Sequence, residues 1–267
     1  MFEKSVVDAF RTYAATKYPE EACGFIVRND DVAPGCTFVP LANIHPEPTK
    51  FFEIASHDYI LFADRLLAVL HTHPQQLDED GEDTNHAPNN YPSVADMVLQ
   101  DQLAVPFGIS LVNREGCDEP FWFGDECPIK PLLGRSWQHN VTDCYSAVRD
   151  YFRLGKEGCA AQGIVNPYKP YTLPNEPREY EWWKKGDNLY LDAMERNGFV
   201  RIADSEVRAG DVCLIKIAKV PSHAAVYVGN NLIYHHTMLD LSSRVPLSRW
   251  SPVVYLWGRL TKAELAE

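Results

Sequence analysis

The sequence predicts a mixed α+β protein that is divided into two domains. Its 267 residues exceed the roughly 100 to 200 residues of a typical single domain, so two medium-sized domains are expected. Pro128, Pro131 and Gly134 lie close together near the middle of the chain, which is typical of a domain boundary. We therefore expect domains at residues 1–128 and 129–267, each combining helices with strands.

Helix and strand patterns alternate in the first domain. Apolar residues recur at helical spacing from residue 2 to Pro19, where the predicted helix ends. Residues 75–91 hold five carboxylates and almost nothing apolar, which predicts an exposed acidic loop. The other predicted elements are two strands, a helix leading into a strand, a further helix and a last strand, at residues 23–28, 36–42, 57–74, 92–100 and 107–113.

The second domain places its helices before its strands. A helix is predicted at residues 144–154, followed by a long connection rich in Pro, Tyr, Trp and Lys, and then a second helix at 189–199. Three strand patterns follow, at residues 211–217, 223–230 and 231–236. This order indicates an α+β domain.

Charge and composition argue against two classes of partner. The formal net charge of −12 disfavours broad, non-specific binding to nucleic acid or anionic membranes, because both would repel an acidic surface, although local basic patches are compatible with it. The first 21 residues contain no apolar run of signal-peptide length, and no other run is long enough for a membrane span. The seven cysteines are scattered and form no CxxC pair, which favours reduced thiols over disulfides.

Two histidines and an aspartate form the first candidate site. His71 and His73 are two residues apart on a predicted strand, so both imidazoles project from the same face. Asp96 would complete a zinc site that leaves one position open for water, and Glu21 is a candidate general base. Taken singly, an HxH pair also arises by chance, and Ser93 with Asp96 also resembles a helix capping pair.

Three motifs around these residues follow one another in an informative order. They are PEEACGF at residues 19–25, HTHP at 71–74 and PSVAD at 92–96, and together they resemble the JAMM (MPN-type) metalloprotease family over about residues 1–125. The 19 residues between His73 and Ser93 exceed the usual spacer of that family, because the acidic loop is inserted there.

The JAMM resemblance implies an α/β/α domain that cleaves amide or isopeptide bonds. It implies that His71, His73 and Asp96 are zinc ligands. By the same resemblance, Glu21 deprotonates the metal-bound water and Ser93 donates a hydrogen bond to the oxyanion.

A cysteine at a predicted helix start forms the second candidate site. Cys144 opens the helical pattern of the second domain, and a helix N-terminus favours the nucleophilic thiolate. His223 is a candidate base, and His235 would lie beside it across a tight hairpin and orient its ring. A buried structural thiol is the simplest alternative for Cys144, and the spacing does not exclude the two other nearby histidines, His139 and His236.

The motifs around these residues resemble the NlpC-type cysteine peptidases. They are TDCYS at residues 142–146, AGDV at 209–212, SHAAVYVGN at 222–230 and YH at 234–235. The resemblance covers about residues 131–260. It implies a papain-like α+β core with Cys144 as nucleophile, His223 as base and His235 as orienting residue, acting on peptidoglycan stem peptides after γ-D-glutamyl residues.

A JAMM-like domain followed by an NlpC-like domain resembles the tail-tip assembly proteins of lambda-like bacteriophages. This resemblance implies a peptidase that opens peptidoglycan during penetration of the cell wall and assists tail-tip assembly. The implied partners are bacterial peptidoglycan and other phage tail-tip proteins, and the implied locations are the host cytoplasm during assembly and the virion tail tip. The alternatives are an assembly factor that docks or processes tail proteins, with one or both sites vestigial, and a ubiquitin-like isopeptidase, which the attached cell-wall domain disfavours.

Overall fold

The protein forms two compact units, Met1–Pro128 and Ile129–Glu267. The computed structural model describes residues 1–29, 35–84, 86–217 and 219–267. Within these residues each unit holds one six-stranded sheet together with helices, so the fold is mixed α+β, as the sequence predicts. No helix in the described part of the chain is long and apolar enough to cross a membrane.

The first unit contains three helices and a mixed sheet. Its elements are α1 (Lys4–Lys17), β1 (Cys23–Arg28), β2 (Cys36–Leu41), α2 (Ser56–Phe62), β3 (Leu66–Pro74), α3 (Val94–Leu103), β4 (Phe107–Asn113), β5 (Gly116–Cys117) and β6 (Phe121–Phe123). The strand order is β2-β1-β3-β4-β5, with β6 also paired to β4. Strands β3 and β4 are parallel, and the other pairs are antiparallel.

Helices lie on both faces of this sheet. Successive residues of a strand point to opposite faces, and Ile26 of β1 packs in the cluster that contains Phe10 of α1. On the other face, the ring of Phe25 lies 5.1 Å from that of Tyr59 and 6.0 Å from that of Phe62, both on α2. Strand β3 is central, which explains why its first half is a continuous apolar run.

The second unit contains helices at its start and an antiparallel sheet. Its elements are α4 (Cys144–Ala160), α5 (Trp182–Lys185), α6 (Leu189–Arg196), β7 (Phe199–Ile202), β8 (Val212–Ile215), β9 (His223–Tyr227), β10 (Leu232–His235), β11 (Ser243–Pro246), β12 (Val254–Leu260) and three 3₁₀ turns (Asp204–Glu206, Leu247–Arg249 and Ser251–Val253). The strand order is β11-β10-β9-β8-β12-β7.

Helix α4 packs against β9 at the centre of this unit. The shared core includes Val148 and Phe152 of α4 and Ala224 and Val226 of β9. The helical backbone breaks at Gly155, whose φ of 59° and ψ of −165° are not helical, directly after the predicted end at residue 154, and a second helical segment then continues to Ala160. A Cβ at Gly155 would lie 2.6 Å from a backbone nitrogen, so only glycine fits this kink.

Candidate active sites

The two histidines and the aspartate predicted as zinc ligands lie together in the first unit. One ligand atom from each of His71, His73 and Asp96 lies within 4.8 Å of the others. Nε2 of His71 is 3.2 Å from Oδ1 of Asp96, and Nε2 of His73 is 3.7 Å from Oδ2. The end of β3 supplies the histidines, and the first turn of α3 supplies the aspartate.

Neighbouring groups fix the orientation of both imidazoles. The ring of His71 stacks on Phe52, with the ring centroids 4.3 Å apart. Nδ1 of His73 lies 2.7 Å from the backbone oxygen of Asn89. A carbonyl oxygen only accepts, so Nδ1 of His73 carries the hydrogen and Nε2 keeps its lone pair for a ligand.

This donor set fits a zinc ion. Both ring nitrogens of His71 are buried and make no hydrogen bond within the described residues. Nε2 lies 3.2 Å from Oδ1 of Asp96, which would be an ion pair only with a protonated imidazole, and burial lowers the pKa of His71. Buried polar nitrogens without a partner are rare, and a metal ion on Nε2 would satisfy this one. Two imidazoles and one carboxylate are the ligands of many catalytic zinc sites.

The predicted base, Glu21, is buried beside this cluster. The pKa of its carboxyl is raised to about 8, mainly by burial; the charge on His73 opposes the rise, and the charge on Asp96 adds to it. The side chain of Asn43 donates to the backbone oxygen of Glu21 at 3.0 Å, which holds this part of the backbone in place. A carboxyl whose pKa lies near neutrality is well matched to proton transfer.

Ser93 caps helix α3. Its hydroxyl accepts from the backbone nitrogen of Asp96 at 3.1 Å, and Oδ2 of Asp96 accepts from the backbone nitrogen of Ser93 at 2.7 Å. Asp96 therefore belongs both to the capping pair and to the group of three possible metal ligands. This is why Ser93 and Asp96 fit a helix cap and a metal site equally well in the sequence. The capping bonds leave the hydroxyl hydrogen of Ser93 able to donate.

Ion pairs and a hydrogen bond attach the acidic loop to other parts of the first unit. Arg114 on the β4–β5 turn pairs with Glu82 at 3.0 Å and with Asp83 at 3.6 Å. The hydroxyl of Tyr18 also donates to Asp83. The backbone oxygen of Asn89 in this loop accepts a hydrogen bond from His73, so the insertion helps to orient one of the three candidate metal ligands. Asn85 of the loop lies outside the described residues.

Cys144 is the first residue of α4, as the sequence predicts. The helix is capped by Asp143, whose carboxylate accepts from the backbone nitrogen of Ser146 at 3.0 Å. Sγ of Cys144 lies 2.9 Å from the hydroxyl of Tyr190. The backbone N–H of Ala224, the residue after His223, also interacts with this sulfur, so the starts of α4 and β9 adjoin.

Burial controls the protonation of the cysteine. It raises the pKa of the Cys144 thiol, and the neighbouring carboxylate of Asp143 raises it further. Hydrogen bonds from Tyr190 and from the backbone of Ala224, and the positive charge of Arg178, act in the opposite direction. Cys144 is therefore a neutral thiol at pH 7, and a base must take its proton before the sulfur can attack a substrate.

The two predicted histidines form a direct pair. Nε2 of His223 on β9 lies 3.1 Å from Nδ1 of His235 on β10. The ring of Trp250 lies 5.5 Å from that of His223 and 5.0 Å from that of His235. Burial lowers the pKa of His223 to about 3 and that of His235 to about 4. Both imidazoles are therefore neutral at pH 7 and able to accept a proton.

The other two histidines near this site have different surroundings. His139 donates from Nε2 to the backbone oxygen of Arg178 at 3.0 Å, and its Nδ1 lies 3.7 Å from Asp143. His236 is buried, which lowers the pKa of its imidazole. The structure pairs His223 with His235, and neither alternative histidine takes part in that pair.

Sequence reasoning missed the residues that cover Cys144. Tyr190 contacts the sulfur, and Arg178 forms a buried ion pair with Asp143 while its guanidinium lies 5.0 Å from the ring centre of Tyr145. Arg178 lies in the connection rich in Pro, Tyr, Trp and Lys that follows α4, and Tyr190 lies in the helix predicted at residues 189–199. No spacing rule links either residue to the cysteine.

Comparison with known proteins gives three matches. The model of the NlpC/P60 family matches residues 132–252. Tail tip assembly protein K of Escherichia phage lambda is 31% identical over 183 residues, which are 67% of this chain and 73% of that protein. Tail tip assembly protein K of Escherichia phage N15 is 28% identical over 253 residues, which are 91% of this chain and 88% of that protein. The chain therefore belongs to the tail tip assembly protein K family of bacteriophages, with an NlpC/P60 domain at residues 132–252.

Proposed function

We propose that the protein is a tail-tip cysteine peptidase that hydrolyses peptidoglycan stem peptides when the phage penetrates the cell wall, and that it also assists tail-tip assembly. The observation that carries the proposal is the pairing of His223 with His235 at 3.1 Å on strands that adjoin Cys144. All three residues lie inside the NlpC/P60 match, and Cys144 stands at the N-terminus of a helix.

The chemistry follows from these three side chains. His223 takes the proton of the Cys144 thiol, and the sulfur attacks the carbonyl carbon of the scissile peptide bond. The C–N bond then breaks, and the departing amine receives the proton held by His223. This leaves a thioester on Cys144, which water hydrolyses to release the acid. His235 orients the ring of His223 through their hydrogen bond.

Digestion of purified peptidoglycan tests this proposal. The protein is incubated with sacculi, and the soluble fragments are identified by mass spectrometry. We expect stem-peptide fragments with a new amino terminus after the γ-D-glutamyl residue, as the family resemblance implies. If intact, correctly folded protein releases no fragment, the proposed activity is wrong.

We further propose that residues 1–128 form a JAMM-like zinc peptidase domain with an α/β/α architecture, and that residues 129–267 form the cysteine peptidase domain. His71, His73 and Asp96 would hold the zinc ion, which supplies Lewis acidity when bound. Support comes from the buried ring nitrogens of His71, which make no hydrogen bond to any described residue. Glu21 would accept and return a proton there, and the Ser93 hydroxyl would donate to the developing oxyanion.

Metal analysis checks the zinc proposal without any substrate. Purified wild-type protein is expected to contain about one zinc ion per chain, and His73→Ala is expected to lose most of it, because a ligand is missing. The matched control is His57→Ala, since the imidazole of His57 is exposed on α2 and outside the cluster. Wild-type protein that stays free of zinc after equilibration with the ion would contradict the proposal, as would equal zinc in both variants.

The assembly role is a second candidate function, which the names of the two relatives favour. Phage that carry Cys144→Ala are expected to build normal tails, seen by electron microscopy, but to infect poorly, because docking needs the folded chain while penetration needs the thiol. Normal infection would show that docking alone suffices. Absence of tails, with the variant chain folded, would instead indicate that Cys144 processes a tail protein.

A further inference from the structure

Among the described residues, Tyr190 is the only side chain that forms a hydrogen bond with the Cys144 sulfur. It lies outside the motifs that resemble the NlpC-type peptidases. It is the second residue of α6, and its hydroxyl lies 2.9 Å from Sγ. Its side chain is 3% exposed. Its ring lies 5.9 Å from the ring of Tyr145, nearly parallel to it, and 5.0 Å from the ring of Trp182. The phenol is therefore held against the sulfur from two sides.

The direction of this hydrogen bond depends on which group ionises. Burial raises the pKa of the Tyr190 phenol well above its ordinary value, and the adjacent Cys144 raises it further. The phenol thus keeps its hydrogen at neutral pH. A thiolate has no hydrogen to donate, so in the ionised state the bond runs from the Tyr190 hydroxyl to the sulfur.

Few other groups around the sulfur help it to carry a negative charge. The carboxylate of Asp143 at the helix start opposes the thiolate, while the guanidinium of Arg178 favours it and is itself paired with Asp143. On the side of strand β9, His223 is neutral, and the backbone N–H of Ala224 donates a hydrogen bond to the sulfur. A buried thiolate with so few compensating groups gains strongly from one more donor.

We propose that Tyr190 is a further catalytic residue of the cysteine site, whose phenolic hydroxyl donates to the Cys144 sulfur and stabilises the thiolate that attacks the substrate. The proposal rests on the proposed role of Cys144 as nucleophile. It assigns a chemical role to the stretch between α4 and β7, which brings Tyr190 to the sulfur from 46 residues away along the chain.

The test is the reactivity of Cys144 towards a small disulfide, bis(2-hydroxyethyl) disulfide, from pH 7 to pH 10. Mass spectrometry of the peptide that contains Cys144 separates its mixed disulfide from those of the other cysteines. Loss of one charge-assisted hydrogen bond in Tyr190→Phe is expected to raise the pKa of Cys144 by about one unit. Thiolate nucleophilicity rises with pKa at a Brønsted slope of about 0.4 to 0.5, so the net rate below the pKa is expected to fall about threefold.

Tyr145→Phe is the matched control. It removes a hydroxyl from the same aromatic stack, but that hydroxyl donates to the backbone oxygen of Pro174 and not to the sulfur. We expect Cys144 in this variant to react as it does in the wild type. An unchanged or faster reaction of Tyr190→Phe relative to this control would overturn the proposal.

A second variant keeps the shape of the side chain. Tyr190→3-fluorotyrosine makes the phenol a stronger acid and a stronger donor, so Cys144 is expected to react faster than in the wild type; a slower reaction would count against the proposal.

Peptidoglycan digestion separates the proposed role of Tyr190 from the proposed peptidase function. If the wild type releases no fragments but the disulfide rates shift as expected, the proposed peptidase function fails and the Tyr190 contact stands. If fragments appear and the rates do not shift, only the role of Tyr190 fails.

Discussion

Cys144→Ala is expected to lower the release of stem-peptide fragments from peptidoglycan by at least about 1000-fold, because removal of a nucleophile leaves only binding and oxyanion stabilisation. Alanine keeps the helix start intact, since the cap at Asp143 uses its own carboxylate and the backbone of Ser146. The rate is measured from fragment release at a fixed protein concentration, with circular dichroism to show that the variant is folded.

Cys159→Ala is the control for this measurement. Cys159 is a second buried thiol on α4, but its sulfur donates to the backbone oxygen of Tyr151 and accepts from the side chain of Asn166. We expect this variant to retain the wild-type rate. If Cys144→Ala keeps full activity while His73→Ala loses it, the hydrolysis comes from the proposed zinc site and our assignment of the peptidoglycan activity to Cys144 is wrong.

The histidine pair could be predicted from sequence because its signals are local. Gly229, Asn230 and Asn231 adopt positive φ angles of 83°, 51° and 59°, which are the conformations that these residue types favour in tight turns. The turn fixes the register of β9 against β10 and places His235 opposite Ala225. Twelve residues of sequence were therefore enough to bring the two imidazoles together.

The groups that surround Cys144 could not be predicted in this way. Arg178 is 35 residues from Asp143, in a connection without regular periodicity, and Tyr190 is 46 residues from Cys144, on a helix that the sequence predicts but whose contact with the cysteine it does not. These contacts arise from tertiary packing. Turn residues and hydrophobic spacing are local signals, so they do not predict which distant residues meet. The same holds for Asn89, which the sequence places in an acidic loop and the structure places against His73.

Arg178→Met is expected to destabilise the second unit by about 3 to 5 kcal/mol, because it leaves the buried carboxylate of Asp143 without its partner. Both side chains are almost fully buried, at 1% and 4% exposure, so water cannot replace the lost ion pair. The measurement is urea unfolding at pH 7, followed by tryptophan fluorescence. Lys169→Met is the control, since its ion pair with Glu264 is exposed, and the midpoint is expected to stay unchanged.

A double variant separates the lost charge pair from lost packing. Asparagine caps helices about as well as aspartate, so Asp143→Asn combined with Arg178→Met removes both charges and keeps the cap. We expect the double variant to recover most of the stability that Arg178→Met loses. If the double variant is as unstable as the single one, the effect of Arg178 comes from its packing on Tyr145 and its backbone contacts.

The pH dependence of unfolding gives an independent check on the same ion pair. Arg178, the backbone N–H of Ser146 and His139 together outweigh burial and lower the pKa of Asp143 to about 2 in the folded protein. Because this pKa lies below the unfolded value of about 3.9, Asp143 contributes about 2 to 3 kcal/mol at neutral pH, which is lost as the pH falls from about 4 towards 2. In Arg178→Met the largest lowering influence is gone and burial dominates, so the pKa of Asp143 rises. The gap in unfolding free energy between wild type and variant is therefore expected to narrow on acidification, and a gap that stays constant from pH 7 down to pH 2 would contradict the proposed role of the ion pair.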